Sequence, residues 1–181
     1  QPALVAFRGS EFEGGAAHRF GQSMHGEQVN YVYSAANGPD ATMIATFEVK
    51  KVPAGPMFLH LKGRDDDGRG TCKIRVALND KVLFEGPAPF PADKWATHRI
   101  EIPAGLLRTG SNQVVVSNIE PEGQLGVPPW FMLAACVVGP GEYVIARDIS
   151  KDFAVELPAQ LREFPEPLPE GRKPGFAIRG T

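Results

Sequence analysis

The chain has 181 residues, of which 43% are hydrophobic and 22% charged, and its formal net charge is −2. This composition is typical of a folded globular domain, lacks the basic excess expected of a nucleic-acid-binding protein, and contains no apolar run near the roughly 20 residues that a membrane-spanning helix needs. We therefore expect neither a nucleic-acid nor a membrane partner. Because the chain begins at Gln1 without Met, we expect a processed or trimmed chain that is secreted or periplasmic.

Short runs of alternating apolar and polar residues recur along the chain, separated by Gly, Pro, Asn and Asp. Such period-two patterns predict strands. We predict about nine of them, at 4–7, 28–34, 41–49, 57–61, 73–78, 81–84, 97–102, 113–117 and 130–138. With no long helical pattern, the sequence predicts an all-β fold, a two-sheet antiparallel β-sandwich.

Some connections and both cysteines can be interpreted individually. Asn79 and Asp80 tolerate positive φ and predict a hairpin turn. The stretch 102–112 predicts one helical turn that ends at Gly110 and leads into the next strand. Cys72 and Cys136 lie in apolar strand patterns and are interpreted as buried free thiols, since a disulfide would require their strands to be neighbours.

The composition changes near residue 141. We expect a sandwich domain over 1–141 and an extended C-terminal strand and linker over 142–181, with one further strand at 143–146. The segment PAQLREFPEPLPEGRKPG is proline-rich and weakly apolar, which is typical of an extended linker rather than of a second core.

A charged loop follows the fourth predicted strand and carries Arg64, Asp66, Asp67 and Arg69. Guanidinium and carboxylate groups can each form paired hydrogen bonds with vicinal sugar hydroxyls. The carboxylates can alternatively bind Ca²⁺, although the EF-hand pattern is absent. A solvated turn that protects a sheet edge from aggregation explains the same residues, so all three interpretations stay open.

Aromatic side chains near the loops are the second group of candidates. Trp95 and Trp130 follow loops and begin strands, so each can either stack on a sugar ring or pack as a lid on the core. Phe90, between Pro89 and Pro91, is predicted to be an exposed aromatic platform.

The polar stretch 11–28 is predicted to be a rim loop, in which five side chains can line a site: His18, Arg19, Gln22, His25 and Glu27. A zinc site does not follow, because no third ligand has suitable spacing. Ordinary loop polarity explains these residues equally well.

Three segments resemble galactose-binding-like jelly-roll domains, which serve as carbohydrate-binding modules and accessory sandwiches of glycoside hydrolases. They are NDKVLFEG (79–86), IPAGLLRTGSNQVVV (102–116) and PPWFMLAACVV (128–138). The resemblance covers about residues 1–140 and implies a jelly roll with a polysaccharide or oligosaccharide partner. The C-terminal KPGFAIRGT (173–181) is similar to the start of the first barrel strand in hexosaminidase-like glycoside hydrolases, which implies a catalytic domain further along. A frayed terminus is the alternative.

No nucleophile elbow, phosphate-binding loop or dinucleotide fingerprint occurs in the sequence. The leading hypothesis is therefore a non-catalytic carbohydrate-binding module or accessory domain of a glycan-degrading enzyme, with Ca²⁺ as the one cofactor considered. The alternatives are a structural spacer that packs on its own catalytic domain or on another subunit, and a stand-alone polysaccharide lyase or hydrolase.

Overall fold

A computed structural model describes residues 2–65, 71–124, 129–145 and 154–156. In chain order the strands are β1 (Val5–Arg8), β2 (Glu13–Gly14), β3 (Ser23–Met24), β4 (Glu27–Gln28), β5 (Asn30–Val32), β6 (Thr42–Val49), β7 (Met57–Asp65), β8 (Lys73–Leu78), β9 (Lys81–Pro87), β10 (Ala96–Ile102), β11 (Gly110–Asn118), β12 (Phe131–Gly139), β13 (Tyr143–Ile145) and β14 (Ala154–Glu156). The helical segments are α1 (Ala17–Phe20) and 3₁₀ turns at Gly9–Glu11 and Ala35–Ala41.

Ten of the strands in the described ranges form two antiparallel sheets of five strands each, while β3 pairs with β4 and β13 with β14. The first sheet has the order β1-β12-β7-β10, with β5 also pairing with β12, and the second has the order β2-β6-β11-β8-β9. Each of the nine predicted strands overlaps a strand of these sheets, and the predicted all-β antiparallel sandwich is confirmed. The chain passes repeatedly from one sheet to the other, as in a jelly roll. No helix in the described ranges is long and apolar enough to cross a membrane.

The main core lies between the two sheets and is built by alternate residues of each strand. In β6, for example, Met43, Ala45 and Phe47 are buried in it. Cys72 and Cys136 are buried in the same core as free thiols, which confirms their interpretation. Burial raises the pKa of the Cys136 thiol because the apolar surroundings disfavour the thiolate.

The strand β12 is buried on both of its faces, since all nine of its residues are buried. One face belongs to the main core. On the opposite face Met132 and Ala134 pack with residues of the segment before β6, while Ala135 and Val137 pack with β13. A continuous apolar run is the sequence pattern of such a strand, and the outer face of the first sheet is therefore partly covered.

An asparagine pair connects two turns at one end of the second sheet. Asn79 (φ +48°) and Asp80 (φ +67°) form the predicted hairpin turn between β8 and β9. The Asn79 Nδ2 donates to the Oδ1 of Asn112 (2.8 Å). Asn112 Oδ1 also accepts from the Arg108 N–H, and its Nδ2 donates to the carbonyls of Arg108 and Gly110.

We expect Asn112→Ala to lower the free energy of unfolding by about 3 kcal/mol, because Asn112 is 1% exposed and its removal leaves several backbone groups of the turn without partners. Urea denaturation measures this loss. The neighbouring Ser111→Ala, at an exposed position, serves as the control and is expected to change stability by less than about 0.5 kcal/mol. Equal losses for the two variants would contradict this role of Asn112.

Candidate functional site

An open depression of about 500 Å³ lies on the outer face of the first sheet. The side chains that line it are His25, Glu27, Lys62, Arg64, Asp93, Lys94 and Trp95. Lys62 and Arg64 share one face of β7 because they are two residues apart. Trp95 directly precedes β10, and the registered pair Gly63–Ala96 places it opposite Arg64. Neighbouring strands of a rigid sheet thus bring an aromatic ring and a guanidinium group together.

One wall of the depression is a small hairpin formed by β3 and β4. Its turn consists of His25 (φ +50°) and Gly26 (φ +76°), and two successive positive φ values are characteristic of the type I′ turn. The sequence predicts a rim loop here and not a hairpin, because each strand has two residues and a His-Gly turn is a weak signal. The hairpin positions His25 and Glu27 over the sheet.

The other polar candidates of the stretch 11–28 lie elsewhere. Arg19 and Gln22 line a separate depression of about 320 Å³, which also includes Asp40. The Arg19 Nε donates to the Asp40 Oδ2 at 2.8 Å. The side chain of His18 lies outside the described residues. The five candidates therefore do not form one site.

A buried ion pair attaches the hairpin to the sheet. Lys62 Nζ lies 2.7 Å from Glu27 Oε1, and the two residues are 8% and 2% exposed. Lys62 Nζ also donates to the Ile145 carbonyl of β13 (2.9 Å), and Arg8 Nη1 lies 4.0 Å from Glu27 Oε2. Buried charges are tolerated only when each has a close partner and further hydrogen bonds, and this arrangement supplies both.

We expect Lys62→Met to destabilise the fold by about 3–5 kcal/mol, because it leaves a buried carboxylate with Arg8 as its more distant counter-ion. The double variant Glu27→Gln/Lys62→Met removes both charges, so its loss is expected to be smaller than the sum of the single losses. A double-mutant cycle in urea measures the coupling.

The exposed pair Arg75–Glu85 provides the matched control, since it has the same 2.7 Å separation but side chains 47% and 48% exposed. Its coupling is expected to be about 0.2–1 kcal/mol. Additive losses at Glu27 and Lys62 would show that the buried pair does not hold the hairpin.

The residues predicted to bind a ligand lie in different parts of the structure. Arg64 and Trp95 meet in the depression, and the Trp95 Nε1 donates to the His25 carbonyl (3.4 Å). Trp130 instead packs with its ring centroid 5.7 Å from that of Tyr31 and 5.4 Å from that of Tyr33, as a lid over the outer cluster. Asp66, Asp67 and Arg69 lie outside the described residues.

The prediction that Phe90 is an exposed platform is wrong. Phe90 is 5% exposed and belongs to the main core, with its ring centroid 5.9 Å from that of Phe131. Its ring occupies the space beside Gly63, where a Cβ would lie 2.7 Å from ring atoms. Burying a phenylalanine stabilises a fold by about 1.5–3 kcal/mol, so the loop 87–91 folds inward over the sandwich.

The segment that leads into β13 is attached to the same outer face. His60 Nε2 lies 3.0 Å from the Gly141 carbonyl, and its ring centroid is 5.2 Å from that of Tyr143. Arg99 Nη1 lies 2.7 Å from Glu142 Oε1, and the guanidinium is 4.4 Å from the Phe58 ring centroid. Burial lowers the pKa of His60; Arg99 lowers it further, while the Gly141 hydrogen bond and Glu142 oppose the shift.

A lowered histidine pKa makes stability depend on pH with a definite sign. The folded state binds the proton less well than the unfolded state, so stability is full above the unfolded pKa of about 6.5 and is lost as the pH falls. We expect the free energy of unfolding to decrease from about pH 7.5 to about pH 5.5, and less so in His60→Asn. Burial also lowers the pKa of His98, which leaves a residual slope. Urea titrations across this range test the expectation, and identical slopes would contradict it.

The described residues contain no group of three or more His, Cys, Asp or Glu side chains that could hold a metal ion. The acids that line the depression are Glu27 and Asp93, and Glu27 already serves as the counter-ion of Lys62. Among the described lining residues, Lys62, Arg64 and Lys94 carry hydrogen-bond donors and Trp95 carries an aromatic ring.

No protein-family model matches the chain, and no curated protein matches it. Among solved structures it is similar to a family GH115 4-O-methyl-α-glucuronidase with specificity for decorated arabinogalactans, at a TM-score of 0.52 and 8% identity over 78% of this chain and 18% of that one. This likeness supports the sandwich fold.

Two further similar structures are the Podospora anserina GH26-CBM35 β-(1,4)-mannanase and the carbohydrate-binding module CBM36 in complex with calcium and xylotriose. The mannanase has a TM-score of 0.48 and 13% identity over 78% of this chain and 28% of that one. The CBM36 module has a TM-score of 0.46 and 9% identity over 74% of this chain and 98% of that one. The chain thus spans 18% and 28% of the lengths of the two enzymes.

Proposed function

We propose that the chain is a non-catalytic carbohydrate-binding module. The observation that carries the proposal is the depression in which Trp95 lies opposite Arg64, on a rigid sheet and beside the hairpin wall of His25 and Glu27. Aromatic rings stack on the apolar faces of sugars, and a few fixed polar groups beside such a ring give a pocket its orientation and specificity. The Glu27–Lys62 pair holds the wall in place.

In this proposal Trp95 supplies the stacking surface and Arg64 donates hydrogen bonds to the sugar. Asp66, Asp67 and Arg69 lie two, three and five positions after Arg64 in the sequence. In this proposal they add contacts to hydroxyl groups, or bind a Ca²⁺ ion that does so. Affinity is modest, because an open depression buries little apolar surface. Dissociation constants from about 1 mM to about 1 μM correspond to about −4 to −8 kcal/mol.

The proposed context is a larger, secreted or periplasmic glycoside hydrolase. The sandwich over 1–141 is its accessory domain, and 142–181 is an extended C-terminal strand and linker toward a catalytic domain. Glu142 pairs with Arg99, and the Gly141 carbonyl lies within hydrogen-bond distance of His60. These two contacts support a fixed direction in which the chain leaves the sandwich. The same observation favours the second candidate, a structural spacer that orients a neighbouring domain and binds no glycan.

We expect the protein to be retarded in native gels that contain a bound polysaccharide, and Trp95→Ala to weaken binding at least about tenfold, or about 1.4 kcal/mol, through loss of stacking. Trp95→Phe retains an aromatic face and is expected to lose less. Isothermal titration with oligosaccharides of the retained polymer gives the affinities, and repeating it with a calcium chelator tests the ion.

Arg75→Ala on the second sheet is the control for a removed cation, and thermal unfolding of each variant checks the fold. Binding that survives Trp95→Ala would place the glycan elsewhere. No binding across a broad panel of neutral and acidic polysaccharides would favour the spacer. Release of reducing ends or of unsaturated product by the chain alone would contradict a non-catalytic role.

A further inference from the structure

The charges that line the depression are not balanced. Three lining residues are cationic, Lys62, Arg64 and Lys94, and two are acidic, Glu27 and Asp93. The charge of Glu27 is balanced by buried cations of the same chain, since Lys62 Nζ lies 2.7 Å from its Oε1 and Arg8 Nη1 lies 4.0 Å from its Oε2. Among the described residues, the remaining charged groups that face the opening are Arg64, the exposed Lys94 and the exposed Asp93, and these three groups sum to a net positive charge.

Among the cations that line the depression, Arg64 has a buried nitrogen without a hydrogen-bond partner in the described part of the chain. This nitrogen is the Nε, and the part of the chain that the structure describes supplies no ion pair to the guanidinium. A buried N–H without an acceptor is unfavourable. The guanidinium fork fits an oxyanion with two parallel hydrogen bonds, so an anionic ligand group would satisfy it.

The sheet register places this fork beside the proposed stacking surface. Gly63 and Ala96 are paired, so Arg64 and Trp95 are opposite each other at the next position along the two strands. Adjacent strands lie about 5 Å apart, which is the scale of one sugar ring. A pyranose stacked on Trp95 therefore directs a ring substituent toward Arg64, with Lys94 at the neighbouring position in the sequence.

We infer that the depression selects glycans that carry an anionic substituent, either a carboxylate or a sulfate ester. The inference rests on the proposed carbohydrate-binding function and names its ligand class. Arg64 receives the anion, Trp95 receives the ring, and Lys94 adds long-range attraction. Because the opening is exposed, salt weakens the attraction: the screening length falls from about 10 Å at 0.1 M to about 3 Å at 1 M.

The test compares polymers that share a backbone and differ in whether they carry the anionic group. Affinity electrophoresis and isothermal titration use polygalacturonate against its fully methyl-esterified form, and dextran sulfate against dextran. We expect the charged member of at least one pair to bind at least about tenfold more tightly. The preference is expected to shrink between about 50 mM and about 500 mM NaCl.

Substitutions distinguish binding of the anion at Arg64 from a general attraction of the protein surface for anionic polymers. Arg64→Gln is expected to abolish the preference for the charged polymer, Arg64→Lys to retain part of it, and Arg75→Gln, on the other sheet, to leave it intact. Equal loss in Arg64→Gln and Arg75→Gln would overturn the inference and show surface charge alone.

The remaining outcomes distinguish this inference from the proposed function. Equal binding of charged and neutral polymers that is lost in Trp95→Ala would overturn the anion selectivity and leave carbohydrate binding standing. Binding of neither member of either pair, together with no binding across the broader panel, would overturn both. A preference for polygalacturonate alone or for dextran sulfate alone identifies the anion as carboxylate or sulfate.

Discussion

The burial of β12 on both faces is the constraint on which the rest of the domain depends. One face lies in the core, and the other would leave a continuous apolar surface in water unless the chain covered it. The segment before β6 covers the part around Met132 and Ala134, and β13 covers the part around Ala135 and Val137. Val29, Tyr31 and Tyr33 supply the apolar contacts of the first cover, and Tyr143 and Ile145 supply those of the second.

The candidate site exists because the covers leave part of the neighbouring strand β7 accessible. Lys62 is enclosed by both of them, through Glu27 of the hairpin and the Ile145 carbonyl of β13. Arg64, on the same face, lines the open depression instead. Two cations of one strand therefore differ in role: the enclosed one joins pieces of the fold, and the accessible one is left for a ligand.

The parts of this structure that the sequence predicts are those with local causes. Strand alternation and the positive φ of Asn79 depend on neighbouring residues, and they are confirmed. The contact between Glu27 and Lys62 joins residues 35 positions apart, and no local pattern indicates it. The prediction that Phe90 is exposed was wrong for a related reason. The flanking prolines correctly indicate a loop, but the space beside Gly63 that the Phe90 ring fills exists only once the sheets have assembled.

Arg8, Glu27 and Lys62 come from three separate stretches of sequence and share one small volume of low polarity. A charge change at any one of them leaves a buried charge imbalance, so we expect substitutions at these positions to be tolerated best in combination. The side chains of the His25–Gly26 turn, at the tip of the same hairpin, take no part in this ion-pair network, and the sheet contacts the turn through the His25 carbonyl, which accepts from the Trp95 Nε1. The domain can therefore diversify the rim of its depression while the base that carries it stays constant, which is how one scaffold can serve a succession of ligands.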